Sequence, residues 1–301
     1  MKRKVSLIGP STLMVSLPSK WVKENNIKKG DELEILEENK NLNIVINKTD
    51  KKLVANFDVS NLDKMLYRFV GALYKAGFDE VKLIYKNHDQ LKIIYDVLNK
   101  VCIGYEIVEE GNKFVVIKQV SEVKEEDFEN VLRRLFQLLI SISEDGLKAI
   151  EKNDKSSLKE LTLRDYNINR NADFCRRCLN KHQYKHPGPL YHIIEQLERI
   201  ADSYKDIFFE TIKSKESLNK DLINYYKNLN QFFNHFYNIF YEFNHEKLES
   251  MKKLDESLSK ISSEINKKLS KDQMNVFYNL NKIKDNIYEM NGSLMIKNLK
   301  K

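Results

Sequence analysis

Residues 125–300 carry apolar residues at helical spacing almost throughout, and this pattern limits the possible folds more than any other feature. The first segment predicts one core-facing helix stripe: Phe128, Val131, Leu132, Leu135, Leu139 and Ile142. Polar or Pro-containing breaks interrupt the pattern at residues 152–154, 186–189, 213–220, 244–247 and 269–273. The sequence therefore predicts six helices, in two three-helix repeats at about residues 125–214 and 218–300.

Composition agrees with a mostly α-helical, multidomain protein. The 301 residues include only nine Gly and four Pro, so few loops are expected. No stretch approaches 18 consecutive apolar residues, and no apolar run follows the charged N-terminus, so we expect neither a membrane-inserted segment nor a secretory signal. The three Cys residues cannot form a disulfide framework, which predicts a cytoplasmic location.

Residues 52–120 alternate strand-like and helix-like segments in the order βαβαββ, which predicts a small α+β domain. No Gly-rich phosphate loop follows either of its first two strands. We interpret this middle domain as a scaffold or a dimerisation domain.

Residues 1–48 predict a β-β-α-β-β unit, which we call the head. A unit of about 50 residues without metal or disulfide is marginal alone and usually needs a partner surface. Its charges are segregated, because residues 1–29 hold seven Lys and Arg but one acid, and residues 31–38 hold five acids and no base. Such segregation predicts an electropositive face that binds an anionic partner.

The opening stretch resembles the AbrB/SpoVT-type DNA-binding domain. It shares that family's order of RKV entering a strand, a Gly turn, VSLP, a short basic helix and then IKKGDELEI. The resemblance implies that two chains interleave their hairpins into one small swapped-hairpin β-barrel, whose basic end contacts double-stranded DNA. Carried over by position, it implies that the principal contacts are Arg3, Lys4 and Lys20, beside Lys2 and with Ser11, Thr12 and Lys23 in support.

The helical region resembles the PhoU family of phosphate-uptake regulators. The stretch QLERIADSYKDI, residues 196–207, is similar to the family's Leu-Glu-Arg-Ile-Gly-Asp motif in the third helix of a three-helix repeat. The resemblance implies that carboxylates four residues apart line the bundle and bind iron or zinc. Glu198 and Asp202 keep this spacing and share one helix face.

The other three motifs of this kind are incomplete. In the second helix of the first repeat, Asp165 is followed by Asn169 at the partner position. In the second repeat, Asp255 is paired with Ser259. Asp285 lies four residues after Asn281. One intact motif of four predicts that the protein binds fewer iron or zinc ions than its relatives, or binds them weakly.

Two further patterns have a functional and a structural interpretation. CRRCLNKHQYKH, residues 175–186, mimics the ligand order of a zinc site, but if it is helical its ends lie 11 residues apart, about 16 Å. No loop-forming residue appears before Pro187, so we favour partly buried Cys and His over zinc. The aromatic run 225–243 suggests base stacking, but its spacing is that of a core stripe: Tyr225, Phe232, Phe236, Phe240 and Phe243.

These patterns favour a regulator over an enzyme. The sequence has no Gly-x-Ser-x-Gly motif, no phosphate loop, no His-Glu-x-x-His motif and no Cys with an obvious basic partner. The leading hypothesis is a homodimeric, DNA-binding transcription regulator of phosphate uptake whose helical body senses phosphate status. The alternative is a signalling adaptor that binds a phosphate-transporter ATPase or a sensor kinase and uses the head only to dimerise. A metal store or metal chaperone is a third hypothesis.

Overall fold

The structure, a computed structural model, describes residues 2–38, 41–45, 52–121, 125–182, 184–266 and 269–299. The described residues divide into two compact units, 2–45 and 52–299. The predicted fold class is confirmed: a small β-rich head, a small sheet domain and a helical C-terminal body. Within the described ranges, no helix is long and apolar enough to cross a membrane.

The head consists of two antiparallel hairpins and one short helix. Strands β1 (Val5–Ile8) and β2 (Thr12–Val15) form the first hairpin, and α1 (Ser19–Glu24) follows. Strands β3 (Glu34–Glu38) and β4 (Asn41–Val45) form the second. None of the head residues whose exposure is described is buried. One copy therefore encloses no core there, and the predicted swapped barrel stays a prediction.

The sheet domain has the βαβαββ order predicted from the sequence. Its elements are β5 (Val54–Asp58), α2 (Leu66–Lys75), β6 (Glu80–Ile84), α3 (His88–Lys100), β7 (Tyr105–Gly111) and β8 (Phe114–Gln119). The strand order in the sheet is β5-β6-β8-β7, with β5 and β6 parallel and the other pairs antiparallel. The apolar residues of α2, α3 and the sheet form a core of their own.

The described residues of the helical body form six helices, as the sequence predicts. They are α4 (Glu125–Glu151), α5 (Lys155–Lys181), α6 (Pro187–Lys213), α7 (Lys220–Tyr241), α8 (His245–Ile265) and α9 (Lys271–Asn298). Three of the predicted breaks supply a residue that caps the following helix by accepting backbone N–H hydrogen bonds: Asp154, Asn219 and Asn244. The breaks therefore both end one helix and start the next.

One apolar core runs through both repeats of the body. Five residues of the predicted α4 stripe are buried and Val131 is partly buried against them. The aromatic stripe of α7 is also part of this core, with Phe243 at its edge. The interpretation of residues 225–243 as core rather than a base-stacking surface is confirmed.

Helix α5 also contacts the sheet domain. Every residue from Asn171 to Leu179 is buried, and α5 packs against α4, α6 and α2. Arg177 is fully buried there and donates a hydrogen bond to the Tyr74 carbonyl oxygen, 2.8 Å away. Asp79 of the sheet domain forms an ion pair with Lys181. The sheet domain and the helical body therefore form one unit with a polar, buried contact.

The CRRCLNKHQYKH segment differs from its prediction in one respect. Although the sequence shows no loop-forming residue before Pro187, α5 ends at Lys181, and His182 is extended. His186, just before Pro187, has a left-handed backbone with φ of 65°. Cys175 and Cys178 are buried, whereas the two His side chains are only partly buried. The preference for a buried Cys and His segment over a zinc site agrees with these positions.

Candidate functional site

The first hairpin of the head exposes a continuous apolar face. The register pairs Val5 with Val15 and Leu7 with Leu13, so these four side chains lie on the same face of the hairpin. They are 63%, 52%, 64% and 69% exposed, respectively. Large apolar side chains exposed together are typical of a surface that another chain covers.

The basic side chains predicted to contact DNA lie at the open end of this hairpin. Lys2, Arg3 and Lys4 are exposed and lead into β1. Lys20 and Lys23 are exposed on α1, which residues 16–18 join to the end of β2. The ion pair between Lys20 and Glu24 is 3.8 Å long, with both side chains mostly exposed, so it stabilises little.

The two predicted hydroxyl contacts are not grouped with these bases within one copy. Ser11 lies in the turn and Thr12 begins β2, at the closed end of the hairpin. Thr12 pairs with Ile8, which is four residues from Lys4 and five from Arg3, so the strand separates the hydroxyls from these side chains by about 13–17 Å. The basic residues therefore lie on the segments that enter and leave the open end of the hairpin, whereas Ser11 and Thr12 lie at its closed end.

In the first repeat of the body, Asp165 and Asp202 face the same lysine. Lys205 Nζ donates to Asp165 Oδ2 at 2.7 Å and to Asp202 Oδ1 at 2.8 Å. Burial acts to lower the pKa of Lys205, but the hydrogen bonds to the two carboxylates outweigh it and raise the pKa above its usual value. Asn169 Nδ2 donates to Asp165 Oδ2 at 3.3 Å.

Glu198, the other member of the intact motif, is bound elsewhere. Its carboxylate pairs with the guanidinium of Arg176, whose side chain is only 3% exposed. The same guanidinium lies 2.6 Å from Asp173 and 2.8 Å from Glu195. Glu198 and Asp202 therefore share a helix face, as the spacing predicts, but each has its own protein cation.

In the second repeat, Asp255 and Asp285 also face one lysine. Lys284 Nζ lies 3.4 Å from Asp255 Oδ1 and 3.1 Å from Asp285 Oδ1, and it donates to Ser259 Oγ at 3.1 Å. Asn281 takes no part in this group, because its Oδ1 accepts hydrogen bonds from Tyr225 and Ser262.

The described carboxylates do not form a donor set that fits iron or zinc. Asp165, Asp202, Asp255 and Asp285 each contact a lysine ammonium, and Glu198 contacts an arginine. In the part of the chain that the structure describes, no three His, Cys, Asp or Glu side chains are grouped to hold a metal ion. The individual roles predicted for these residues stay predictions.

The sequence interpretation missed the cations of these groups. Lys205 is three residues after Asp202, and Lys284 directly precedes Asp285, so both were visible beside the acidic motifs. Arg176 lies 22 residues from Glu198, and only the packing of α5 against α6 brings them together.

Comparisons with known proteins agree with the two parts of the architecture. A sequence model of the family described as antidote-toxin recognition MazE, bacterial antitoxin, matches residues 7–53. The crystal structure of the phosphate transport system regulatory protein PhoU from Streptococcus pneumoniae is similar, with a TM-score of 0.50 and 19% sequence identity. The similarity covers 57% of this chain and 93% of that chain. The helical body has a PhoU-like fold.

The MazE match agrees with the AbrB-like order of elements noted in the head, so the head is MazE/AbrB-like. At 19% identity, the PhoU similarity shows the fold of the body and nothing about its ligands. No match is found among curated proteins.

Proposed function

We propose that this protein is a homodimeric, non-enzymatic regulator of phosphate uptake that acts in the cytoplasm by binding double-stranded DNA through its head. The observation that carries the proposal is the first hairpin, in which an exposed apolar face adjoins exposed Lys and Arg side chains. The apolar face supports association with a second copy, and the bases support binding to phosphates of DNA. The PhoU-like fold of the body supports the link to phosphate.

The dimer is part of this proposal because one head has no buried residue among those whose exposure is described. Burying Val5, Leu7, Leu13 and Val15 against a second hairpin removes their apolar surface from water. Each fully buried aliphatic side chain of this size contributes about 1.5–3 kcal/mol. A second copy therefore supplies the core that the isolated head lacks.

The experiment compares salt dependence of DNA binding for two double variants. Replacing both Arg3 and Lys4 by Ala removes two exposed bases per chain, while replacing Lys28 and Lys29 by Ala removes the same charge beside the acidic strand. Binding to a mixed-sequence DNA duplex is measured as a function of salt concentration. Each lost phosphate contact changes the slope by about 0.9, so the first variant should flatten it by roughly two units per chain.

The control variant should change the slope much less, because Lys28 and Lys29 precede the segment of five acids. Circular dichroism should show both variants folded, because all four side chains are on the surface. If the Arg3 and Lys4 variant keeps the wild-type affinity and slope, the head does not bind DNA. The adaptor hypothesis, with a phosphate-transporter ATPase or a sensor kinase as partner, then replaces the proposal.

A further inference from the structure

Each three-helix repeat of the body holds one lysine ammonium between carboxylates from two helices. In the first repeat, Lys205 of α6 contacts Asp165 of α5 and Asp202 of its own helix. In the second, Lys284 of α9 contacts Asp255 of α8 and Asp285 of its own helix. The same charge arrangement therefore occurs in both halves of the body.

The two lysines come from different positions in the two motifs. Lys205 is three residues after Asp202, whereas Lys284 is one residue before Asp285. Positions −1 and +3 are four residues apart, which is about one helical turn, so both project from the same stripe of the third helix. The two repeats therefore have the same charge arrangement, although their lysines are not at equivalent positions of the motif.

Burial shows which carboxylates need these cations. The side chains of Asp165 and Asp255 are 12% and 11% exposed, whereas those of Asp202 and Asp285 are 53% and 60% exposed. A carboxylate removed from water is destabilising unless it is paired with a cation and hydrogen-bonded. The ammonium therefore acts mainly on the buried Asp of the second helix in each repeat.

We propose that Lys205 and Lys284 are built-in cations that stand in place of metal ions in the two repeats, so that the helical body is stable without bound metal. This inference concerns the body alone and does not depend on DNA binding by the head. In the first cluster, the buried oxygens without a partner are Asp165 Oδ1 and Asn169 Oδ1. Two oxygens are too few for a divalent cation, which takes about four ligands for zinc and six or more for calcium.

The test replaces Lys205 by Met in the full chain and measures thermal unfolding by circular dichroism in EDTA. The matched control is Lys213→Met, because Lys213 is also on α6 and pairs with an acid three residues earlier, but is 71% exposed. The midpoint of Lys205→Met should fall by roughly 5–10 °C, since it leaves a buried carboxylate unpaired. The midpoint of the control should change by less than about 3 °C.

Millimolar Mn²⁺ should restore part of the lost stability of Lys205→Met, because the freed oxygens of Asp165, Asn169 and Asp202 are ligands that Mn²⁺ accepts. The wild-type midpoint should be the same in EDTA and in Mn²⁺. In the second repeat, Asp255 also lies 3.5 Å from Lys252 Nζ, so the corresponding variant replaces both Lys252 and Lys284 by Met. This variant decides the matter if Lys205→Met does not accumulate as folded protein.

Three results would overturn the proposal. The first is a wild-type midpoint that falls in EDTA and recovers with metal, because the body then depends on bound metal. The second is a Lys205→Met midpoint equal to that of Lys213→Met, because the ammonium then holds nothing together. The third is a destabilised Lys205→Met that Mn²⁺ does not restore at all, because the ammonium then does not occupy a position that a cation can fill.

Discussion

Replacing Arg177 by Met should destabilise the unit formed by the sheet domain and the helical body. The guanidinium of Arg177 donates from one nitrogen to the Tyr74 carbonyl oxygen at 2.8 Å and to the Tyr105 hydroxyl at 3.2 Å. It also lies 5.0 Å and 4.9 Å from the centres of these two rings. Met fills most of the same volume but makes none of these polar contacts.

The magnitude follows from two opposing effects. A hydrogen bond to a charged group contributes about 1.5–3 kcal/mol. Each buried cation–π contact adds about 1–2 kcal/mol. Against this, Met removes a buried charge whose Nε and second terminal nitrogen have no hydrogen-bond partner. Arg177 Nη2 also lies 3.8 Å from Asp79 Oδ1. In the variant, the Asp79 carboxylate still pairs with Lys181 and accepts a hydrogen bond from the backbone N–H of Leu53.

The lost contacts outweigh the relief, so we expect a net loss of about 3 kcal/mol, which lowers the unfolding midpoint of a unit this size by roughly 6–12 °C. Far-UV circular dichroism follows the helices. Trp21 is the single Trp of the chain and lies in the head, so the unfolding transition that its fluorescence reports should be the same in the variant and the wild type. The matched control is Arg164→Met on the same helix, whose exposed ion pair with Asp145 is 2.9 Å long.

Removing that exposed pair should reduce stability by less than about 1 kcal/mol. Equal midpoints for Arg177→Met and Arg164→Met would refute the reasoning. The buried guanidinium would then be tolerated by the interface without stabilising it, as happens for buried ion pairs that apolar residues can replace.

Two further predictions concern assembly and core packing. Leu13→Lys places a charge on the apolar face and should make the full chain a monomer in sedimentation experiments. Ser6→Lys, on the other face of the hairpin, should leave the dimer intact. A dimeric Leu13→Lys would contradict the predicted interface. Gly146→Ala should cost about 1–3 kcal/mol of stability, because its Cβ would clash with the buried ring of Phe208. Gly292→Ala, whose new Cβ has no atom within 4 Å apart from the neighbouring backbone of its own helix, should be neutral or stabilising by up to about 1 kcal/mol. A similar loss in both variants would contradict the packing argument.

The features predictable from the sequence are those that local residues determine. The helix breaks are predictable because short polar segments interrupt the apolar stripes. The structure then shows that Asp154, Asn219 and Asn244 of these segments cap the following helices. The βαβαββ order was visible because the period of apolar residues changes from two to about 3.6 and back.

The pairing of charges across helices was not predictable in the same way. Lys205 and Asp165 are 40 residues apart, and no local sequence pattern in either segment predicts that they form a pair. The motif therefore suggests that Glu198 and Asp202 share one cation. In the structure, Glu198 pairs with Arg176 of the neighbouring helix α5, whereas Asp202 pairs with Lys205 of its own helix. Acidic spacing predicts which carboxylates share a face, but neighbouring helices decide what neutralises them.

The CRRC segment shows how one short stretch can serve several contacts. Successive residues of a helix point roughly 100° apart, so Arg176 and Arg177 face different neighbours. Arg176 meets the acids of α6, and Arg177 meets the sheet domain.

Cys175 and Cys178, three residues apart, share the remaining face and lie in the core of the body. Burial raises the pKa of Cys178 to about 12 and that of Cys175 well above its usual value, so both thiols stay protonated near neutral pH. Zinc binds thiolates, and a neutral buried thiol behaves as a small apolar side chain. The two Cys residues therefore pack the core, and the two Arg residues between them carry the polar contacts of the segment.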